Sequence, residues 1–527
     1  MFMESMKETM NEEFNTSVTE NGAVGYKTTG KELLDINFSV TSMRNWSEDQ
    51  IVNKFVKAYY ENPKLACKWI FYVRDAREGV GERRLFRILF KYLAENHPDI
   101  CKVLIPYVPE YGRWDDLWVL LDTPLASVVS MLVIRQLSND ILNMNDNDGS
   151  SISLLAKWMP SINTSSEETK RLARKMMQLI GCNDEKQYRK LLSKLRAYLN
   201  VVEVKMSAGE WSSIDYSAVP SRANLIYNNA FLKNDEDRRR LYLESLQKGE
   251  TKINAGVLFP HDIVHKYNEN SYRKIDTTYE ELWKALPDFV KDDGDTICVS
   301  DGSGSMCSCV GNTRVTALEV AQALSIYFSE RCSGQFKDNY ITFSENPQFV
   351  NLSNARNLKE KIEIANRYYE VANTNIEAVF DLILQTAIRH NMKQEDLPQN
   401  ILILSDMEFD GCARIGLETE TYIDWLGRKC VRRVSTKPDA KFFKTIAQKY
   451  AAHGYKLPRL VFWNICSRTG TIPVKENDLG VALVSGFSPA IVKMVLSNST
   501  DPFECLLEQL NSDRYLPIEA ELNKVFK

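Results

Sequence analysis

The sequence has no run of 18 or more apolar residues and no marked excess of one charge. A membrane-spanning helix needs about 20 consecutive apolar residues, so none is predicted. The opening residues, Met1–Glu8, carry two glutamates, which is not typical of a signal or transit peptide, and we expect a soluble protein in the cytoplasm. With 66 Lys and Arg against 70 Asp and Glu, the net charge is −4, so any attraction to nucleic acid must come from local basic patches.

Side chains suited to zinc binding or acid–base catalysis are also scarce. The 11 cysteines, an odd number without regular spacing, indicate reduced thiols rather than a disulfide framework. Cys307 and Cys309 form a close pair, but no second pair at zinc-binding spacing accompanies them. His261 and His265 share a helical face with Asp262, superficially like a zinc protease, yet Asp is shorter than the expected Glu and no third ligand is evident. With 5 histidines in the chain, acid–base catalysis has few candidates, and we predict no enzymatic activity.

The first half of the chain is predicted to be helical. Of the 527 residues, 44% are hydrophobic, which is enough to fill more than one core. Residues 1–45 are polar and are expected to form a flexible N-terminal arm. Between residues 46 and 290, apolar side chains recur at fourfold spacing, as at Ile51, Phe55 and Tyr59, and short turns separate the segments. This pattern predicts antiparallel helical pairs stacked as a HEAT-like solenoid or as an irregular bundle.

The pattern changes at residue 291. From there to residue 490, apolar runs that predict buried strands alternate with helical segments, which is typical of a doubly wound, mostly parallel sheet. Residues 408–438 are expected to form an irregular insertion, and residues 491–527 a C-terminal helical segment that packs on the body. The predicted fold class is therefore α plus α/β. The predicted strands cover residues 296–300, 339–343, 400–405, 459–464 and 481–485.

Oxygen-bearing side chains follow two of these strands. Asp301, Ser303 and Ser305 alternate with glycines directly after the first strand, and Asp406 follows the strand at 400–405. Thr374 precedes a predicted helix, and the topology would bring all three loops to one sheet edge. Carboxylate and hydroxyl oxygens suit a hard divalent cation, so the sequence predicts a site for such an ion.

Other interpretations of this loop are weaker. A P-loop ends in Gly-Lys-Ser/Thr, and a nucleophile elbow has glycines two residues on each side of its serine. A haloacid-dehalogenase phosphatase requires Asp where Ser303 stands. A loop that only caps the next helix through a serine hydroxyl stays open as the structural alternative. The five residues resemble the metal-ion-dependent adhesion site of von Willebrand factor A domains, and this resemblance implies that they hold Mg²⁺ while a partner's carboxylate or other oxygen completes the coordination.

The chain also resembles Ro-type (TROVE) proteins, at Tyr72–Arg84 and Tyr111–Leu117. It is more similar to a family known as a domain of unknown function, at Leu154–Ser161, Val219–Ser221 and Val461–Asn464. Ro-type proteins are rings of helical repeats closed by a von Willebrand A domain, and they bind structured RNAs and single-stranded RNA ends. The resemblance therefore implies an RNA partner for this chain.

Two basic stretches could contact an RNA backbone. The first follows a glycine turn that opens a helix, and the second shares its helices with an apolar stripe that includes Leu192 and Leu195. Ion pairs that fix helix packing are the alternative for the first stretch, and a solvated helix face is the alternative for the second. The candidate residues are Arg77, Arg83, Arg84 and Arg87, and then Arg174, Lys175, Arg189, Lys190, Lys194 and Arg196.

These observations favour a non-enzymatic RNA-binding protein with a Mg²⁺-binding von Willebrand A domain. The alternative is a metal-dependent protein-interaction scaffold, in which a protein partner donates an Asp or Glu to the ion and the helices bind no RNA.

Overall fold

The computed structural model describes most of the chain, in two compact units. One unit, the sheet unit, contains Met1–Ser47, Phe259–Lys274 and Asp288–Gln509, and the other, the helical unit, contains Glu48–Leu258, Ile275–Pro287 and Leu510–Lys527. Each unit is therefore assembled from three separate segments of the chain. Besides Met3, Met6 and Met10, the described residues are 14–20, 24–146, 151–269, 274–290, 296–343, 346–368, 375–409, 417–423, 429–435, 442–473, 481–495 and 501–526.

Helices account for nearly all regular structure of the helical unit. None of the described helices is long and apolar enough to cross a membrane. In chain order, the helices of both units are α1 (Glu32–Phe38), α2 (Glu48–Glu61), α3 (Pro63–Arg74), α4 (Arg83–Asn96), α5 (Pro98–Leu104), α6 (Val108–Tyr111), α7 (Ala126–Asn145), α8 (Leu155–Trp158), α9 (Glu167–Leu179), α10 (Glu185–Tyr198), α11 (Val202–Ala208), α12 (Ser221–Asn234), α13 (Glu236–Gln247), α14 (Pro260–Asn268), α15 (Thr277–Lys284), α16 (Ala317–Arg331), α17 (Leu358–Ala365), α18 (Glu377–Arg389), α19 (Phe442–Ala452), α20 (Val492–Val495), α21 (Pro502–Leu510) and α22 (Leu516–Val525).

The strands form one large sheet and two small hairpins. The large sheet has the order β10-β9-β6-β3-β4-β5, and all neighbours are parallel except β4 and β5. Its central strand β3 is buried along its whole length, as expected for a parallel strand with both faces covered. The strands are β1 (Thr16–Val18), β2 (Val24–Tyr26), β3 (Thr296–Asp301), β4 (Asn339–Phe343), β5 (Gln348–Asn351), β6 (Asn400–Ser405), β7 (Leu417–Ile423), β8 (Lys429–Ser435), β9 (Arg459–Asn464) and β10 (Ala482–Ser485).

A helical region followed by a region with a mixed sheet is thus confirmed, and the five predicted strands are present. The sequence did not predict β5, a short edge strand whose residues are mostly exposed or half-buried. The insertion expected to be irregular contains an antiparallel hairpin, β7 paired with β8 from Leu417↔Ser435 to Ile423↔Lys429. Both strands carry many charged residues, which hides the apolar alternation that would indicate a strand.

The N-terminal residues differ from the flexible arm that their polar composition predicted. Helix α1 is almost entirely buried in the sheet unit, and Tyr26 at the end of β2 forms an antiparallel bridge with Ile472. Thr41 donates a hydrogen bond to the carbonyl of Asn464 at the end of β9. Because α1 has only seven residues, it is too short for a periodic signal to separate it from an arm.

Helix α14 also lies in a different unit from the one expected. It falls before residue 290, within the predicted helical domain, but it belongs to the sheet unit, where it packs against α16. His265 on α14 contacts Glu319 on α16, with 3.1 Å between Nδ1 and Oε2. Helical periodicity identifies a helix but not the core against which it packs, so the sequence could not place this boundary.

The helical unit is closed by the last part of the chain. Asp75, which is fully buried at the end of α3, forms an ion pair with Arg514 at 2.8 Å. The buried Lys68 on α3 forms a second ion pair with Glu519 on α22 at 2.7 Å. The core between these contacts is aromatic, since the ring of Phe71 makes edge contacts with those of Phe86, Phe90 and Tyr111. The folded helical unit thus includes residues from both ends of its sequence range.

Candidate functional site

Two aspartates lie at the carboxyl ends of neighbouring parallel strands. β3 and β6 pair from Thr296↔Asn400 to Ser300↔Leu404, so Asp301 and Asp406 follow the ladder on the same edge of the sheet. Both side chains are buried. Asp301 Oδ1 accepts a hydrogen bond from the Ser303 backbone N–H at 2.9 Å, and Oδ2 accepts one from Ser405 Oγ at 2.6 Å. These bonds fix the Asp301 carboxylate at the sheet edge.

Two hydroxyl groups complete this cluster. Ser303 Oγ and Ser305 Oγ are 3.0 Å apart, and the Ser305 side chain is one of the groups that lower the pKa of Asp406 against the effect of burial. The loop is held close to the sheet because the Gly302 N–H donates to the carbonyl of Phe343, the last residue of β4, at 2.8 Å. The structure therefore brings together four of the five predicted metal-binding residues, while Thr374 lies outside the described residues.

The electrostatics of the cluster fit a cation. Burial, followed by the negative charge of Asp406, raises the pKa of Asp301 to about 7. Burial is also the main cause that raises the pKa of Asp406, to which the nearby Glu408 carboxylate contributes. Two buried carboxylates and two hydroxyls are the oxygen donors that Mg²⁺ prefers. Among the described residues no three His, Cys, Asp or Glu side chains cluster as a metal site, so a cation site here would need the hydroxyl oxygens as well.

Glu408 organises the third loop of this edge, and the sequence analysis did not identify it. Its side chain is fully buried, and Oε1 accepts hydrogen bonds from the backbone N–H groups of Arg468 and Thr469, each at 2.9 Å. Oε2 accepts a hydrogen bond from the backbone N–H of Glu20 at 2.9 Å. Glu408 therefore ties the loop after β9 and an N-terminal residue to the end of β6.

The guanidinium of Arg468 bridges two carboxylates beside this cluster. It lies 2.8 Å from the carboxylate of Glu20 and 3.7 Å from that of Asp406. Next to Asp406, Met407 adopts a left-handed backbone conformation with φ of 62°. A methionine rarely adopts this conformation, and such strained residues cluster at functional sites.

The two histidines of α14 have ring and polar contacts, and the cysteine pair is exposed. The ring of His261 is buried and makes an edge contact with Phe487 at 5.2 Å. His265 contacts glutamates on α14 and α16, and Cys307 and Cys309 are exposed free thiols.

The arginines of the first basic stretch have different environments. Arg87 forms ion pairs with Asp115 at 2.9 Å and Asp116 at 2.7 Å, and Arg77 donates to the carbonyl of Glu110 at 2.9 Å. Arg83 and Arg84 are exposed at the start of α4. Arg87 therefore joins α4 to the segment Trp114–Leu120, whereas Arg83 lies at the surface.

The second stretch divides in the same way. Arg196 is partly buried and donates to the carbonyls of Ala156 at 2.8 Å and Met159 at 2.7 Å, so it joins α10 to α8. Arg174 is paired with Glu185, and Lys175 with Asp122. Exposed positions on α10 are occupied by Arg189, Lys190 and Lys194.

Comparisons with known proteins give relatives along the whole chain. A family model described as Domain of unknown function (DUF2828) matches residues 19–121 and 124–295, and one described as Domain of unknown function (DUF7788) matches residues 295–515. The chain is 31% identical over 533 residues to Uncharacterized protein L728 of Acanthamoeba polyphaga mimivirus, which covers 94% of this chain and 87% of the relative. Among solved structures, it is similar to the Ro (RSR) protein of Deinococcus radiodurans, with a TM-score of 0.43 and 12% identity over 86% of this chain and 92% of that chain.

Proposed function

The chain belongs to the family described as Domain of unknown function (DUF2828), and from the geometry of its site we propose that it is a non-enzymatic, Mg²⁺-binding protein that binds RNA. The observation that carries the metal part is the convergence of two buried carboxylates and two hydroxyls on one sheet edge. The same residues carry the resemblance to the metal-ion-dependent adhesion site of von Willebrand A domains, so we assign that site to residues 301–305 and 406.

Asp301, Ser303, Ser305 and Asp406 would hold the ion, with Thr374 as a fifth donor. The bound ion supplies a positive charge that attracts an oxygen of a ligand, either a phosphate or a carboxylate. The carboxylates serve to hold this ion in place rather than to transfer protons, because hydroxyl and backbone donors already engage them. Binding without catalysis is the role that follows.

The exposed basic face of α10 supports RNA as the ligand of the helical unit. Arg189, Lys190 and Lys194 are exposed on this helix, while Tyr188, Leu192 and Leu195 on the opposite side are buried in the core. Such a face offers several cations to a phosphate backbone without disturbing the packing beneath it. Arg196 is not part of it, because its guanidinium bonds to backbone carbonyls.

Calorimetric titration with Mg²⁺ tests the metal site. We expect binding by the full chain and loss of binding in Asp301→Ala and Ser303→Ala. Asp396→Ala is the matched control, because Asp396 is exposed in the same unit and lies outside the cluster. Unchanged Mg²⁺ binding in the two cluster variants would refute the assignment.

RNA binding is tested with a structured RNA that carries a single-stranded tail, over a salt series. Affinity should fall with salt, and the double variant Lys190→Glu/Lys194→Glu should weaken binding and reduce the salt slope by about two. A double variant with the same charge change on two other helices, Lys233→Glu on α12 and Arg240→Glu on α13, serves as the control. If the protein binds Mg²⁺ but no RNA at low salt, the protein-interaction scaffold becomes the preferred function.

A further inference from the structure

A second surface of the helical unit carries more arginines than carboxylates. Asp116, which is fully buried, forms ion pairs at 2.7 Å with both Arg74 and Arg87. Asp115 accepts hydrogen bonds from Arg87 at 2.9 Å and from Arg113 at 2.8 Å. These two carboxylates are therefore shared by three arginines.

Arg83 is the fourth arginine of this cluster. It lies one helical turn before Arg87 on α4. Partial burial of its side chain, followed by the positive charges of Arg113 and Arg87, lowers its pKa. Within the described part of the chain, no hydrogen bond or ion pair joins Arg83 to a carboxylate. The cluster of Arg74, Arg83, Arg87 and Arg113 with Asp115 and Asp116 thus retains two positive charges.

The backbone holds Arg83 in this position. It is the first residue of α4, directly after a turn in which Gly81 has φ of 83°. A side chain at Gly79 is excluded, because a Cβ there would lie 2.0 Å from the carbonyl oxygen of Tyr72. The turn is therefore packed against α3.

The start of α4 is itself favourable for an anion. The N-cap residue, Glu82, does not cap the helix with its side chain. First-turn backbone N–H groups carry partial positive charge and bind anions well. The free guanidinium of Arg83 and these N–H groups belong to the same helical turn.

Arg113 is fixed on the other side of the cluster. Its guanidinium stacks on the ring of Trp158, with 3.8 Å between Cζ and the ring centroid. Trp158 in turn accepts a hydrogen bond through its carbonyl from the indole N–H of Trp118 at 3.2 Å. This stacking orients the planar group of Arg113 before any ligand arrives.

We propose that Arg83 and Arg113 bind the phosphate dianion of a phosphate monoester at the start of α4. The two retained positive charges match a dianion, whereas an internal phosphodiester of RNA would neutralise only one of them. The monoester could belong to a free mononucleotide or to the 5′-phosphate end of an RNA. Only the second source rests on the proposed RNA function.

The test compares ligands that differ in a single phosphate. Binding of the full chain is measured with a nucleoside, its 5′-monophosphate, and short RNAs of one sequence with a 5′-hydroxyl or a 5′-phosphate. We expect each phosphorylated ligand to bind more tightly than its partner, by about 10- to 100-fold, the range for hydrogen bonds to charged groups. The advantage should grow as pH rises through about 6, where a phosphate monoester loses its second proton.

Substitution of Arg83 then identifies the site. Arg83→Ala should remove the phosphate advantage, and Arg83→Lys should restore only part of it, because Lys lacks the planar fork of Arg. Arg240→Ala is the control, since Arg240 is exposed in the same unit and paired with Glu236. The thermal midpoint of Arg83→Ala should equal or exceed that of the wild type, because the change removes like-charge repulsion.

Two results would overturn the inference. If phosphorylated and unphosphorylated ligands bind equally, no monoester site exists. RNA binding by the basic face of α10 is then judged separately, from the salt series described above. If Arg83→Ala and Arg240→Ala reduce binding of the phosphorylated ligands equally, the phosphate advantage comes from general charge. A preference limited to the mononucleotide identifies a free nucleotide as the ligand, and a preference limited to the RNA identifies the RNA end.

Discussion

Replacement of Asp301 by Asn should raise stability in the absence of Mg²⁺ and should abolish the stabilisation that Mg²⁺ gives the wild type. Asn has the shape of Asp and can keep the hydrogen bonds with Ser303 and Ser405, but it carries no charge. In the metal-free protein it therefore relieves the repulsion between Asp301 and Asp406 and the cost of burying a carboxylate. The pKa of Asp301 is about 7, against an ordinary value of 3.8. This difference sets an upper bound of roughly 4 kcal/mol on the free energy of unfolding that Asp301→Asn can gain at pH 8.

The sign of the pH dependence follows from the same pKa. Because the pKa of Asp301 is raised in the folded state, the metal-free protein retains a proton that the unfolded chain releases. This contribution to stability is complete below about pH 4 and is lost as pH rises toward about 7. The wild-type protein in EDTA should therefore lose stability across this window, whereas Asp301→Asn should lose less.

Thermal and denaturant unfolding at pH 8, in EDTA and in excess Mg²⁺, measures both effects. At a Mg²⁺ concentration 100 times its dissociation constant, the wild type should gain about 2.7 kcal/mol, and Asp301→Asn should gain none. The reasoning is refuted if Asp301→Asn is less stable than the wild type in EDTA, or if Mg²⁺ still stabilises it. Asp396→Asn, at an exposed site of the same unit, should behave as the wild type in both buffers.

Three further changes test other parts of the structure. Glu408→Ala leaves the backbone N–H groups of the loop after β9 without their acceptor. Hydrogen exchange of residues 467–470 should therefore accelerate by about 30-fold or more, equivalent to at least about 2 kcal/mol. The exposed control Glu395→Ala should have no effect. Arg196→Ala should lower the free energy of unfolding by about 2–4 kcal/mol yet leave the salt slope of RNA binding unchanged; a changed slope would show that Arg196 contacts RNA. Arg514→Ala leaves Asp75 buried without its cation and should lower the free energy of unfolding in urea by about 3–5 kcal/mol. The exposed control Arg356→Ala should lower it by less than about 1 kcal/mol. Equal losses would contradict the assigned role of the buried pair.

The metal cluster could be predicted because the sequence features that indicate it lie next to the residues concerned. Asp301 and Asp406 each follow an apolar run that predicts a buried strand, and parallel strands deliver their carboxyl ends to one edge. Glu408 gives no such signal. Its partners lie about 60 residues later in a loop and at Glu20, so its role exists only once the sheet has formed.

The spacing of the basic residues on α10 contains information about which of them are buried and which are exposed. Arg196 lies four residues after the buried Leu192 and next to Leu195, on the flank of the apolar stripe, whereas Lys190 and Lys194 lie on the opposite side of α10. Helical spacing alone could therefore have separated an anchoring arginine from exposed lysines. The four arginines around Asp115 and Asp116 could not be sorted in this way, because their pairing depends on contacts between α3, α4 and the turn at Trp114–Leu120.

The closure of the helical unit by α22 and the residues before it affects how the protein folds during translation. The fully buried Asp75 and the buried Lys68 emerge from the ribosome early, but their partners Arg514 and Glu519 lie more than 430 residues later. At 5–20 residues per second, synthesis leaves these two buried charges without their partners for roughly 20 to 90 s. The packing of α3 therefore cannot be completed until α22 has been made.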